Sequence, residues 1–94
     1  MIRVEELIRE RGHWVIKTLY LNPSWIIRIQ EDYLLTKNLR CEQNHVEFPP
    51  GLDPRHTLSK VTYAYGSSTT TATVVGTPET IHEKVVGQKQ LLRG

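Results

Sequence analysis

The sequence predicts an α+β fold: a small, mostly antiparallel sheet of about five or six strands with a short N-terminal and a short C-terminal helix. Several segments rich in Val, Ile, Thr and aromatic residues alternate between apolar and polar positions, as strands do. Turn-forming residues separate these segments, and a well-capped helix start follows the last of them. The 94 residues leave room for one domain, residues 1–94.

The first element is predicted to be a short helix over "VEELIRERG", Val4 to Gly12. Val4, Leu7 and Ile8 follow the i, i+3, i+4 spacing of one helical stripe. Gly12 is well placed as the residue after the helix end. Because two helical turns are not stable alone in water, we expect this helix to pack against the rest of the chain.

"HWVIKTLYL", His13 to Leu21, is predicted to form the first strand. Apolar residues occupy both of its faces, which indicates a central strand or a strand whose second face meets a partner. "NPS", Asn22 to Ser24, is predicted to follow as a turn, because Pro23 fixes φ.

The next segment, "WIIRIQED", could form a helix capped by "NPS", but strict alternation favours a strand. In this strand we expect Trp25, Ile27 and Ile29 on one face and Ile26 and Arg28 on the other.

"YLLT", the pair Lys37-Asn38 and "LRCEQNHVEF" together predict a β-hairpin with its turn near the pair. Cys41 falls on the second strand of this hairpin, so we expect a buried and unreactive thiol. The proline-rich segment Pro49 to His56 is predicted to be a surface loop and is a candidate contacting segment.

Two further strands and a turn follow. "KVTYAYG" alternates, with Val61, Tyr63 and Tyr65 on one side. Gly66 to Ser68 supplies a tight turn. The threonine-rich "TTTATVV" could be a flexible linker, but its position after a strand and a turn favours a strand with an exposed threonine face.

The C-terminal helix is predicted from its start signal. Thr77 is a good N-cap, Pro78 suits the first helical position, and Ile81 and Val85 form the buried stripe. Gly87 is predicted to end the helix, and "QKQLLRG" is then expected to be a frayed tail.

Charge and composition narrow the function classes. Twelve Lys and Arg residues against ten Asp and Glu residues give a net charge of +2. Since acids and bases alternate along the chain, a nucleic-acid partner is not favoured. No apolar run approaches the roughly 20 residues of a membrane span. The lone Cys41 excludes an internal disulfide and fits a reducing compartment, so we expect a cytoplasmic protein.

The motifs of common enzymes are missing from the sequence. His82 and Glu83 match the start of H-E-x-x-H, but Val86 occupies the second histidine position. No glycine-rich phosphate loop and no G-x-S-x-G elbow occurs. We therefore expect no enzymatic activity, no catalytic residue, no cofactor and no metal site.

Recognition is the remaining class of function. The candidate ligand- or partner-binding residues are aromatic or basic: Trp14, Tyr20, Trp25, Arg28, Arg55, Lys60, Tyr63 and Tyr65. Trp14 and Trp25 could instead fill the core. The leading hypothesis is a non-enzymatic regulatory protein that acts as a homo-oligomer and modulates a protein partner. The alternative is an oligomeric small-ligand binder that sequesters a nucleotide-like molecule at a protomer interface.

"TLYLNPSWIIRIQED", followed later by "TATVVGTPETIHEKVV", resembles the small flagellar FlbD/SwrD-like proteins. The matching positions are Leu21 to Pro23, Ile26, Ile29, Val74-Val75 and Ile81 to Val85, within about a third of the chain. The chain departs from that family in its predicted N-terminal helix and in its longer region from Leu34 to Leu58. The resemblance implies a small non-enzymatic accessory protein and transfers no binding residue.

Overall fold

The computed structural model describes residues 1–41, 48–49 and 51–93, with side chains described as far as Gly87. The strands are β1 (Ile2–Glu10), β2 (His13–Leu21), β3 (Ile26–Glu31), β4 (Leu58–Tyr65) and β5 (Ser68–Val75). The helices are α1 (Tyr33–Arg40) and α2 (Pro78–Arg93), and a short 3₁₀ helix, Pro23–Trp25, precedes β3.

The strands form one five-stranded sheet in the order β2-β1-β5-β4-β3, and every neighbouring pair is antiparallel. The predicted α+β class with an antiparallel sheet is confirmed. Two hairpins, β1-β2 and β4-β5, meet where β1 pairs with β5, and β3 extends the sheet beyond β4. Of the strands in the described residues, this order leaves β2 and β3 at the two edges.

The predicted N-terminal helix is wrong, because this segment forms β1. Val4 and Leu7 lie on opposite sides of the sheet and belong to two different apolar clusters. Because both faces of β1 are covered, its apolar residues do not alternate strictly and can mimic a helical stripe. Nine residues of β1 pair with β2, and this pairing outweighs the helix propensity of the Glu- and Arg-rich segment.

Gly12 closes a hairpin instead of ending a helix. Arg11 and Gly12 have φ of 51° and 81°, so both central residues of the turn are left-handed. This is the signature of a type I′ turn, whose twist matches that of the flanking strands. The turn sets the β1-β2 register, in which Glu10 pairs with His13.

The hairpin predicted around Lys37-Asn38 is also wrong, because α1 occupies its first half. Asp32 caps this helix by accepting a hydrogen bond from the Leu35 N–H at 3.1 Å. Among the described residues, the α-helix that precedes α2 is therefore mid-chain and not N-terminal. Cys41 follows α1 and is exposed, contrary to the buried thiol expected. Residues 42–47, in the second half of the predicted hairpin, lie outside the described residues.

The strands predicted over β2, β3, β4 and β5 are confirmed, including the threonine-rich β5. The facing predicted for β3 is wrong in part. Its pairing with β4 shifts between Ile26 and Arg28, and this irregularity places Ile26 and Ile29 against the same core cluster. A β-bulge of this kind breaks the two-residue alternation on which the prediction depended.

Two apolar clusters lie on opposite faces of the sheet. The first, under α2, contains buried Ile2, Val4, Leu21, Val61, Ala72, Val74, Ile81 and Val85. The second, near α1 and the 48–57 loop, contains buried Leu7, Leu39, Phe48, Leu52 and Leu58. The apolar residues on both faces of β2 pack against these clusters: Leu19 contacts the first, and Trp14 and Ile16 contact the second. The double-faced pattern of β2 therefore belongs to an edge strand and not to a central one.

The start of α2 is confirmed and its predicted end is wrong. The Thr77 Oγ1 accepts a hydrogen bond from the Thr80 N–H at 3.1 Å, and Ile81 and Val85 are buried. The helix continues past Gly87 to Arg93, so the expected frayed tail is helical in the described part. Within the described residues, no helix combines the length and apolar character needed to cross a bilayer.

Candidate functional site

Trp25 and Tyr65 are exposed at one end of the sheet. Their side chains are 51% and 69% accessible. Ile26 pairs with Tyr63, so Trp25 and Tyr65, which flank this pair, lie at the same end of the β3-β4 ladder. We call the surface formed by Trp25, Tyr63 and Tyr65 the aromatic end. Ile27 is 61% accessible beside it.

The turn before β3 holds Trp25 in place. Asn22 accepts the Ser24 N–H on its side-chain oxygen and the Trp25 N–H on its backbone oxygen, both at 3.0 Å. Pro23 is buried and sits at the first position of the 3₁₀ helix, where its fixed φ suits the turn. The indole is thus exposed on a well-bonded turn and not on a loose loop.

Tyr63 is the half-buried member of the aromatic end. Burial raises the pKa of its phenol above the usual 10, and the charges of Glu6 and then Tyr65 raise it further. Tyr63 therefore keeps its proton at alkaline pH and stays a hydrogen-bond donor.

Trp14 packs in the second cluster, so its ring is largely engaged within the chain. Its ring stacks on Phe48 with centroids 6.1 Å apart and planes 8° apart. The Arg9 guanidinium carbon lies 5.4 Å from the centroid of the Trp14 ring, within cation–π range. Tyr20 shares its strand and sheet face with Trp14, but 61% of it is exposed. Of these two candidates, Tyr20 offers the accessible side chain.

Arg28 and Lys60 are near each other in the β3-β4 ladder. Arg28 pairs with Thr62 and Gln30 pairs with Lys60, so the two basic residues are diagonal neighbours. The Thr62 hydroxyl lies 3.2 Å from the Thr71 hydroxyl beside them. Lys60 therefore lies on the face opposite the tyrosines of the aromatic end, whereas Arg28 sits at the register shift of the edge strand and also lines the groove beside α2.

Arg55 lies apart from the other candidates, in the 48–57 loop. Its Nε and Nη2 donate to the two oxygens of Asp53 at 3.2 and 3.0 Å, and its backbone N–H donates to the same carboxylate at 2.8 Å. These bonds from Arg55 lower the pKa of the Asp53 carboxyl to about 2 and raise the pKa of the Arg55 guanidinium. The pair stabilises the turn of this loop.

A groove of about 460 Å³ lies between β3 and the first turns of α2. Ile27 and Arg28 line it from β3, and Glu79 and His82 line it from α2. Over the described ranges, no cluster of three or more His, Cys, Asp or Glu residues has the arrangement of a metal site. The accessible chemistry of these surfaces is apolar and aromatic contact with a few charges at the rim.

Sequence reasoning found the aromatic residues but missed two surface features. The first is the exposure of Ile27, because the predicted facing of β3 ignored the irregularity after Ile26. The second is the open edge of β2, because strand order depends on pairing between distant segments. Gly12, between two segments that carry apolar residues, could have indicated a hairpin turn and with it β1.

Comparison of the chain with models of protein families, with curated proteins and with solved structures found no match. The resemblance to the flagellar FlbD/SwrD-like proteins therefore stays a prediction.

Proposed function

We propose that this chain is a small non-enzymatic binding protein that acts as a homo-oligomer and modulates another protein. The observation that carries the proposal is the joint exposure of Trp25, Ile27 and Tyr65 at one end of the sheet. Large aromatic side chains each bury roughly 150–250 Å² when they are covered. Grouped exposure of such side chains favours a contact surface, whereas single exposed apolar residues are ordinary.

The composition of the aromatic end supports a protein partner. Trp and Tyr are enriched in the cores of protein interfaces, where the ring is buried and the polar atom still finds a hydrogen bond. The half-buried Tyr63 adds a phenol hydroxyl, which is a hydrogen-bond donor at neutral pH. The turn that holds Trp25 adds pre-organisation, which lowers the entropy cost of binding.

Sedimentation velocity over a wide range of protein concentration tests the homo-oligomer. The proposal predicts a concentration-dependent shift from monomer to a larger species. A single monomeric boundary up to millimolar concentration would remove the homo-oligomer from the proposal.

The partner is tested by affinity capture from cells of the source organism, followed by reconstitution with the purified partner. Trp25→Ser should weaken the reconstituted complex at least tenfold, because truncated aromatic hot spots typically cost about 2 kcal/mol or more. Leu34→Ser is the matched control, because Leu34 is 74% exposed on α1, away from the aromatic end. Equal affinity of the two variants would reject the aromatic end as the contact surface.

One observation favours the second candidate, a binder of nucleotide-like ligands. Arg28 and Lys60 are diagonal neighbours beside the Thr62 and Thr71 hydroxyls, an arrangement that suits phosphate oxygens. A ligand at 100 times its dissociation constant should stabilise the fold by about 2.7 kcal/mol. A nucleotide panel read by thermal shift tests this, with Lys60→Ala as the variant that should abolish the shift. If no nucleotide shifts the melting temperature, this candidate falls.

A further inference from the structure

Within the described parts of the chain, no strand pairs with the outer side of β2. The hairpin closes at Glu10 and His13 through a two-residue turn, and such a turn is flanked by a hydrogen-bonded pair. Hydrogen-bonded and non-hydrogen-bonded pairs alternate along an antiparallel ladder. Every second residue of β2 therefore directs its N–H and C=O away from β1. These residues are Trp14, Ile16, Thr18 and Tyr20.

The two edges of the sheet differ in how they are protected. The edge strand β3 has six residues, an irregular register after Ile26, and charges at Arg28 and Glu31. Short length, bulges and charges are the features that keep an edge from pairing with another chain. β2 has nine residues in unbroken register with β1, and Lys17 is its one formally charged residue. β2 is thus the edge suited to a further strand.

We propose that β2 pairs antiparallel with β2 of a second copy of the chain, with Ile16 on the two-fold axis. The proposal rests on the homo-oligomer proposed above and supplies its interface. The two five-stranded sheets would join into one continuous sheet. Backbone hydrogen bonds would supply the contact, and half-buried Trp14 and Ile16 would gain apolar neighbours on the face that carries the second cluster.

Symmetry limits the possible registers. Two residues directly opposite each other in an antiparallel ladder point to the same face of the sheet. A two-fold axis normal to the sheet keeps every residue on its own face, so the residue at the axis must pair with its own copy in the second chain. An axis at Lys17 would set two ammonium groups directly opposite each other, which is unfavourable. An axis at Val15 or at Leu19 would pair only five residues, and an axis nearer either end of β2 would pair fewer.

Two registers remain, with the axis at Thr18 or at Ile16. They differ in the row of side chains that crosses the interface at the axis. With the axis at Thr18, the row runs from Glu5 of one copy through both threonines to Glu5 of the other, because Glu5 pairs with Thr18. Thr18 already contacts the Glu5 carboxylate, with 3.4 Å between their oxygens. With the axis at Ile16, the corresponding row contains Ile16 and Leu7 of each copy and is apolar throughout.

The Ile16 register also brings Trp14 into the interface. It pairs His13 to Leu19 of each copy and sets Trp14 opposite Thr18. The bulky indole thus faces a small side chain, and Lys17 faces Val15. The Thr18 register leaves Trp14 beyond the paired residues and gives up this contact.

Cysteine cross-linking tests the register. In a Cys41→Ser background, which removes the native exposed thiol, single cysteines replace Ile16, Lys17 or Thr18. Directly opposed residues have Cα atoms about 4.5–5.5 Å apart, within the range of a disulfide. We expect Ile16→Cys to form the interchain disulfide fastest. Faster cross-linking of Lys17→Cys or Thr18→Cys would overturn the proposed register.

A proline variant tests the use of the edge. Thr18→Pro removes an N–H that points away from β1, so the β1-β2 ladder keeps its bonds. Two lost bonds per dimer should weaken association about thirtyfold, while Thr18→Ala should change it less than threefold. If the protein dimerises and Thr18→Pro has no effect, this interface is rejected and the homo-oligomer stands. If the wild type is monomeric at every concentration, both proposals fail.

Discussion

Thr36 and Leu58 bond to each other twice across the boundary between α1 and β4. The Thr36 hydroxyl accepts the Leu58 N–H at 2.9 Å and donates to the Leu58 carbonyl at 3.3 Å. Both residues are buried, at 1% and 0% accessibility. Leu58 is the first residue of β4, so this pair fixes where the strand begins relative to the helix and satisfies backbone groups that have no access to water.

Replacing Thr36 should destabilise the fold through the unpaired Leu58 N–H. Thr36→Val keeps the volume but removes the acceptor, and a buried donor without a partner costs about 1–3 kcal/mol. Thr36→Ser keeps the hydroxyl and should retain most of the bond. Urea unfolding measures both variants. If valine and serine gave equal free energies of unfolding, the hydrogen bonds would not matter to stability.

Two glycines should respond to alanine in opposite directions. Gly76, between β5 and α2, has φ of +128°, so Gly76→Ala should cost about 1–2 kcal/mol in backbone strain. Gly87 lies inside α2, and an added Cβ there would meet nothing within 4 Å. Gly87→Ala should therefore stabilise the protein by up to about 1 kcal/mol. Thermal unfolding checks both, and a destabilising Gly87→Ala would argue against a helix that continues past this residue.

The titration of Tyr63 should make stability fall at alkaline pH. Its pKa is raised in the folded state by burial, then by Glu6 and Tyr65. The folded state therefore binds the phenol proton more tightly than the unfolded state does. This stabilisation is complete below the usual pKa of 10 and is lost as the pH rises through the folded pKa.

Unfolding of the wild type and of Tyr63→Phe at about pH 8 and pH 11 isolates this effect. The stability of the wild type should fall relative to that of Tyr63→Phe between the two conditions. Glu6→Gln, which removes one of the contributing charges, should lower the Tyr63 pKa. A stability difference that stays constant across this range would contradict the burial of the phenol.

The Asp53 carboxyl should titrate near pH 2, and Arg55 should be the reason. The side-chain hydrogen bonds from Arg55 are the largest cause of the lowered pKa. Arg55→Ala removes the guanidinium that donates to Asp53 and should raise the Asp53 pKa toward the ordinary 3.8. The signal of the Asp53 carboxyl carbon in NMR reports this directly. An unchanged titration would mean that Arg55 does not hold Asp53 and is available for a ligand.

Much of the sheet could be predicted because its strands carry local signals. Alternation identified β4, and the threonine-rich β5 was recognised because it follows a tight turn at Gly66. The segment of β1 could not be distinguished from a helix, since both of its faces are covered and its composition favours helix. The cap at Asp32 is a recognisable helix start, but the apolar segment before Lys37 is short enough to match a strand equally well.

The residues of the candidate surfaces could be predicted from the sequence, but their spatial arrangement could not. Aromatic side chains such as Trp25 and Tyr65 could be chosen by type, and the structure brings these two to one end of the sheet. Which faces Arg28 and Tyr63 occupy depends on the irregular β3-β4 register. Which strands become edges depends on the contact between β1 and β5, which lie far apart in the sequence. No local pattern encodes such a contact.

Amide hydrogen exchange by NMR at two protein concentrations shows whether copies of the chain associate through the edge of β2, as proposed. The amides of Lys17 and Leu19 should be protected at both concentrations, because they bond to β1. The amides of Ile16 and Thr18 should exchange fast in dilute solution and slow down as concentration rises. Fast exchange of Ile16 and Thr18 at every concentration would rule out association through β2.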